Sequence, residues 1–274
     1  MRHEKTTHII QMAYAILAAY NPMTVRQVYY QLVSRLVIEN TRSRYQATSN
    51  ALVDARKEGI IPWEWVEDRL RKPRHVAMWA DLDIFAETVL SSYRRDVWST
   101  QPAYLEIWLE KDALSGIFLD VLNLYGVTLN VGRGYDGWAS IRNAAKRYDD
   151  GSGVTVLYFG DFDPSGEDMV RSLKERLGFF GCEPEIIKCA LTAHDVTHYE
   201  LPSDFTKATD SRRAAFVAKY GDVAVELDAL PVNVLRDRLE DAVTSRMDLH
   251  ALARVKQTET HDRERLRALL KAQQ

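Results

Sequence analysis

Apolar positions follow two rhythms along this chain. Up to about residue 60 they recur at helical spacing, and from residue 103 onward short unbroken apolar runs alternate with amphipathic stretches. Residues 6–20 predict an amphipathic helix stopped by Asn21-Pro22. Thr24-Val25-Arg26-Gln27 is a Thr-x-x-Gln capping box that opens a second helix. Its apolar positions, Val25, Val28, Tyr29, Leu32, Val33 and Leu36, form one stripe. A third helix is expected from Thr41 or Ser43 to Glu58, closed by Gly59.

In the second rhythm, Ala103–Leu109 and Val154–Phe159 read as buried strands, bounded by glycine and rich in β-branched and aromatic residues. Each is followed by a helical stretch, the first running to about Tyr125 and the second from Glu167 to Leu177 after a Pro164-Ser165-Gly166 turn. Between them a strand ends at Gly132 and a helix covers Ser140 to Tyr148; beyond them Glu185–Leu191 is a further strand and Thr192–Tyr199 a loop or short helix. Residues 232–273 are helical and highly charged. This β-α-β-α order predicts an α/β fold with a parallel sheet after residue 103. Helices dominate residues 1–75, and 76–102 is a linker region.

Candidate chemistry sits at strand ends. Glu110 closes the first strand, and Asp161 and Asp163 close the one at 154–159. Carboxyl ends of parallel strands border the ligand crevice, and an oxygen-only set suits a hard cation such as Mg²⁺. A second Asp-x-Asp, Asp81 and Asp83 with Glu87, has no strand before it and reads as structural, as do His194 and His198, which lack a third ligand. On the second helix Tyr29 belongs to the core stripe, whereas Tyr30 points outward beside Arg26, one turn earlier, and Ser34, one turn later. A phenol titrates near pH ~10, so its use as a nucleophile needs a neighbouring cation or base.

The segments YLEIWLEKDALSG and VLYFGDFDPSGEDM, with Gly132-Arg133-Gly134-Tyr135-Asp136-Gly137 between them, resemble a Toprim domain. Thr24-Val25-Arg26-Gln27-Val28-Tyr29-Tyr30 is similar to the catalytic-tyrosine motif of the topoisomerase VI A subunit and the meiotic double-strand-break transesterase, and the chain most resembles the compact Mini-A branch. The likeness covers roughly residues 20–240. It implies a winged helix over 1–75, with Ile60–Arg74 as the wing and Pro62, Trp63 and Trp65 at its base, followed by a Rossmann-like Toprim domain with C-terminal helices over 103–274. Tyr30 would be the nucleophile, Glu110, Asp161 and Asp163 the Mg²⁺ ligands, and Glu110 alternatively a general acid. Glu226, in the segment at the Toprim exit, would help orient the site.

The resemblance further implies a homodimer on double-stranded DNA, with the tyrosine of one subunit facing the Toprim site of the other. Arg26 and Arg133 would neutralise phosphate charge. Arg42, Arg44, Arg56 and Lys57 on the third helix would reach phosphates, and Gln46 and Asn50 base edges. No P-loop or other ATP-site motif is present, so strand passage would need a separate ATPase subunit of the B type.

Charge supports this division. Residues 1–75 carry a local charge of +5 and the remainder −8, within a net −3 over 274 residues. No apolar run is long enough to span a membrane, the N-terminus lacks a signal-peptide core, and Cys182 and Cys189 match neither a disulfide nor a zinc pattern, so a cytoplasmic protein is expected. Two other readings stay open: a Toprim metallonuclease that uses water, as in nucleases of plasmid-defence complexes, and a non-catalytic DNA-binding subunit.

Overall fold

The computed structural model describes residues 4–67, 76–132, 137–148 and 153–271. Helices α1 (Glu4–Tyr20), α2 (Val25–Ser34) and α3 (Arg42–Lys57) pack together at the N-terminal end. The expected capping box opens α2: the Gln27 N–H donates to Thr24 Oγ1 (3.3 Å) and the Thr24 N–H to Gln27 Oε1 (2.6 Å). The stripe ends earlier than its spacing suggests. After Ser34 the chain turns through Leu36 at φ 56°, which leaves that side chain 91% exposed. Thr41 caps α3, and Gly59 closes it at φ 74°, a conformation open to glycine at little cost.

Of the segment expected as the wing, residues 60–67 are described. Trp63–Trp65 makes one 3-10 turn, and Val66 forms a lone parallel bridge to Met23. Trp65 packs against Tyr14 and the core, whereas Trp63 stays exposed under the Arg56 guanidinium. Residues 68–74 of the expected wing lie outside the described residues.

Helix α4 (Leu82–Ser92) is capped by Asp81, whose Oδ1 accepts from the Ile84 N–H (2.8 Å), a structural role for that residue. Then β1 (Tyr104–Leu109), α5 (Ser115–Tyr125), β2 (Thr128–Val131), α6 (Trp138–Arg147), β3 (Val154–Phe159), α7 (Pro164–Phe179) and β4 (Glu185–Ala190) alternate in sequence. Pro164, Ser165 and Gly166, expected as a turn, form the first turn of α7, since proline suits that position. Helices α8 (Ala193–His198), α9 (Arg213–Tyr220), α10 (Val232–Thr244) and α11 (Leu249–Lys271) follow.

The four strands pair in parallel in the order β2-β1-β3-β4, an α/β sheet as predicted, with β2 at an edge. Period-2 alternation assigns each side chain to a face. Leu105, Ile107, Leu109, Leu157 and Phe159 join the large core that includes α5, α10 and the N-terminal helices, while Trp108, Val156 and Tyr158 join a second core under α6 and α7. Phe118 of α5 meets Phe159 edge-on at 5.0 Å, and burying each ring contributes about 1.5–3 kcal/mol.

Glu106 breaks the apolar rule on the second face. Its buried carboxylate accepts from Arg147 Nε (2.5 Å) and Nη2 (3.0 Å), Asn130 Nδ2 (2.5 Å), Tyr104 Oη (3.0 Å) and Tyr148 Oη (2.7 Å). Such a group is tolerated because its oxygens are saturated and its charge is matched. Arg147→Ala should therefore destabilise the protein by about 3–5 kcal/mol in urea unfolding, and Glu106→Leu combined with Arg147→Met should recover most of that loss.

Candidate functional site

β1 leads outward to β2, whereas the next crossover returns past β1 to β3. The strand order thus reverses between β1 and β3, which opens a crevice beyond their carboxyl ends. Glu110 and Asp161 stand at that point. Glu110 Oε2 accepts from the Asp161 N–H (2.9 Å) and the Tyr158 hydroxyl (3.3 Å). Gly160 permits this approach, because a Cβ there would lie 2.5 Å from Glu110 Oε2. Asp163 caps α7, its Oδ1 accepting from the Gly166 N–H (2.6 Å) and Ser165 Oγ (2.7 Å).

Lys111, the residue after Glu110, gathers the remaining acids. Its buried ammonium lies 3.0 Å from Asp161 Oδ1, 2.7 Å from Glu226 Oε2 and 3.6 Å from Asp228 Oδ2. Asp161 Oδ1 also accepts the Leu227 N–H at 2.8 Å. Glu226 and Asp228 in turn hold Arg26 of α2: Arg26 Nη2 donates to Glu226 Oε2, and Nε to Asp228 Oδ2 at 3.0 Å. An ionic chain therefore runs from α2 through Glu226, Asp228 and Lys111 to Asp161.

The acids outnumber the cations they hold, and the electrostatics follow. Burial pushes the Asp161 pKa up; Lys111 opposes this and Glu110 reinforces it. Burial works against the Glu226 carboxylate too, but Lys111 and then Arg26 overcome it and hold that pKa at about 2. Despite burial, Asp228, Asp161 and Glu226 keep Lys111 firmly protonated. Asp228 is fully buried, and its Oδ1 has no hydrogen-bond partner among the described residues.

Tyr30 lies beside this chain. Helix α2 packs against the 3-10 turn Leu227–Ala229, and the Tyr30 side chain, packed with Tyr29, Val33 and Ile38, is 9% exposed rather than on an open polar face. Burial and then the Glu226 carboxylate push its pKa well above 10, although Arg26 sits 5.6 Å from the ring centre. Tyr29 is core, as its stripe position predicts, and donates to Asn40 Oδ1 (2.9 Å) and the Thr41 carbonyl (3.1 Å). A groove of about 210 Å³ is lined by Arg26, Tyr29, Tyr30, Arg42, Tyr45 and Asp204. A second cavity of about 180 Å³ is lined by Asp161, Asp163, Asp204, Lys207 and Glu226. Asp204 borders both.

The fold thus brings together Tyr30, Arg26, Glu110, Asp161 and Asp163, with Arg42 at the groove. Arg44 opens onto a separate groove beside α1, Arg56 is engaged with Trp63 and the Leu52 carbonyl, and Lys57 is exposed at the end of α3. Arg133 lies outside the described residues. His194 and His198 stack on one another at 5.2 Å. Sequence reasoning missed Lys111 and Asp228; a lysine directly after a strand-end glutamate, and an acid two residues past Glu226, were the signals available.

Among the described residues no three acids, histidines or cysteines converge on one metal position as they stand. Glu110, Asp161 and Asp163 nevertheless fit a hard cation by their oxygen-only donor chemistry and by the orphaned Asp228 oxygen nearby. The chain matches no protein-family model, and a search of curated proteins finds no match either.

A carboxyl held below its ordinary pKa stabilises the fold above that ordinary value and loses the contribution as pH falls towards the folded-state value. For Glu226 the window runs from 4.5 down to about 2. Glu226→Gln should cost about 1 kcal/mol near neutrality, the pair being partly solvent-screened. In denaturant titrations the gap to wild type should close on acidification through that window.

Proposed function

We propose that this protein cleaves DNA by tyrosine transesterification, as the A-subunit-like enzymes that its motifs resemble do. The observation that carries the reading is the ionic chain from Arg26, beside Tyr30, to Asp161 at the sheet's switch point. A structural tyrosine on an unrelated helix would need no link to strand-end acids. On this reading the N-terminal helices are a winged-helix unit and the α/β part is a Toprim domain.

In the proposed step Tyr30 Oη attacks a backbone phosphorus. The new bond is a phosphotyrosyl link to the DNA 5′ end, and the bond broken is that from phosphorus to the 3′ oxygen. The phenol proton passes to solvent water, and the 3′ oxygen leaves as a hydroxyl after gaining a proton, for which Glu110 is the candidate donor. Arg26 stabilises charge on the phosphate oxygens. A Mg²⁺ ion held by Asp161 and Asp163, with Glu110 as a further ligand in place of its role as acid, would supply further charge stabilisation at the phosphate and the leaving oxygen. Two chains, each cutting one strand, would make a double-strand break, so a homodimer is proposed, with strand passage left to a separate ATPase subunit.

The low exposure of Tyr30 favours one competing reading, in which water attacks and no covalent intermediate forms. The readings separate on supercoiled plasmid with Mg²⁺, quenched with denaturant. Asp161→Asn should reduce cleavage by at least about 10²-fold, and Tyr30→Phe should abolish both cleavage and protein-linked ends. Protein-free cleavage retained in Tyr30→Phe would establish hydrolysis instead.

A further inference from the structure

Two cationic donors and a phenol converge on one carboxylate. Arg26 Nη2 and Lys111 Nζ both donate to Glu226 Oε2, the latter at 2.7 Å, and Glu226 also interacts with the Tyr30 hydroxyl. A guanidinium fork beside an ammonium is the donor set that recognises a phosphate oxyanion. A phosphodiester carries one negative charge, as the carboxylate does, so exchanging one for the other leaves the charge balance of the cleft unchanged.

The other acids of the site are fixed in place in ways that Glu226 is not. Asp161 and Asp163 accept backbone N–H groups, and Asp228 is completely buried. The Glu226 side chain is 38% exposed and lines the cavity that contains Asp161 and Asp163. If Glu226 rotates into solvent, Arg26 keeps its bond to Asp228 (3.0 Å) and Lys111 its pairing with Asp161 (3.0 Å). Both donors stay oriented, and only one side chain has to move.

We propose that Arg26 and Lys111 form a subsite for a nucleic-acid backbone phosphate, which Glu226 occupies as an internal anion until the phosphate displaces it. The choice of nucleic acid as ligand rests on the reading in the preceding subsection; the subsite itself rests on the donor geometry. Displacement would also release Tyr30 from Glu226, so the same event that seats the phosphate uncovers the phenol.

The test is equilibrium binding of a fluorescent duplex in EDTA, where no cleavage occurs, so a failure of the cleavage reading leaves this result intact. Glu226→Gln and Glu226→Ala should each bind the duplex about tenfold more tightly than wild type. In an Arg26→Ala background the gain should vanish, because the subsite has lost its guanidinium. Unchanged or weaker binding in the Glu226 variants would overturn the proposal. So would a gain that persists without Arg26, since loss of any acid would then suffice. Glu226→Gln keeps the shape and polarity of the side chain and decides the matter if the alanine variant fails to melt cooperatively.

Discussion

The ammonium of Lys111, buried among Asp161, Glu226 and Asp228, is the interaction on which the rest of the site depends. Without that charge, the largest opposition to the burial that raises Asp161 and disfavours the Glu226 carboxylate would be gone. Lys111 also joins parts of the chain that are far apart in sequence. It follows β1, Asp161 follows β3, and Glu226 precedes and Asp228 lies within the turn on which α2 rests. Through Arg26 the same charge network fixes the helix that carries Tyr30.

That network explains how a sheet and a helical unit act as one site. The switch point between β1 and β3 supplies the crevice, and alternation along each strand places apolar side chains in the two cores while the strand-end acids remain outside them. α2 then closes one wall of the crevice. Tyr30 is buried and kept protonated in this arrangement, so on the proposed reading a reactive state requires that the contacts made by Glu226 be exchanged for others.

Much of this was legible in the sequence because the signals were local. The capping box at Thr24, the apolar run Val154–Phe159 and the glycine after α3 each fix a neighbouring backbone conformation, and each lies where the pattern put it. The site was legible in part for the same reason: Glu110, Asp161 and Asp163 end strands, and strand ends are visible as breaks in an apolar run. What sequence could not convey depends on contacts across long separations. Arg26, beside Tyr30, meets Glu226 from 200 residues away, and periodicity alone left Tyr30 exposed. Lys111 and Asp228 gain their roles only from three-dimensional proximity, and Leu36 leaves its stripe because the chain turns there with positive φ.

The central claim is that Tyr30, rather than its core neighbour Tyr29 or a water molecule, attacks DNA. The most direct measurement is mass spectrometry of protein trapped on duplex DNA with Mg²⁺, digested with nuclease and protease. A nucleotide adduct on the peptide that contains Tyr30, with fragment ions locating it on that residue, is the result predicted. An adduct on Tyr29, or cleaved DNA with no peptide adduct at all, would contradict it.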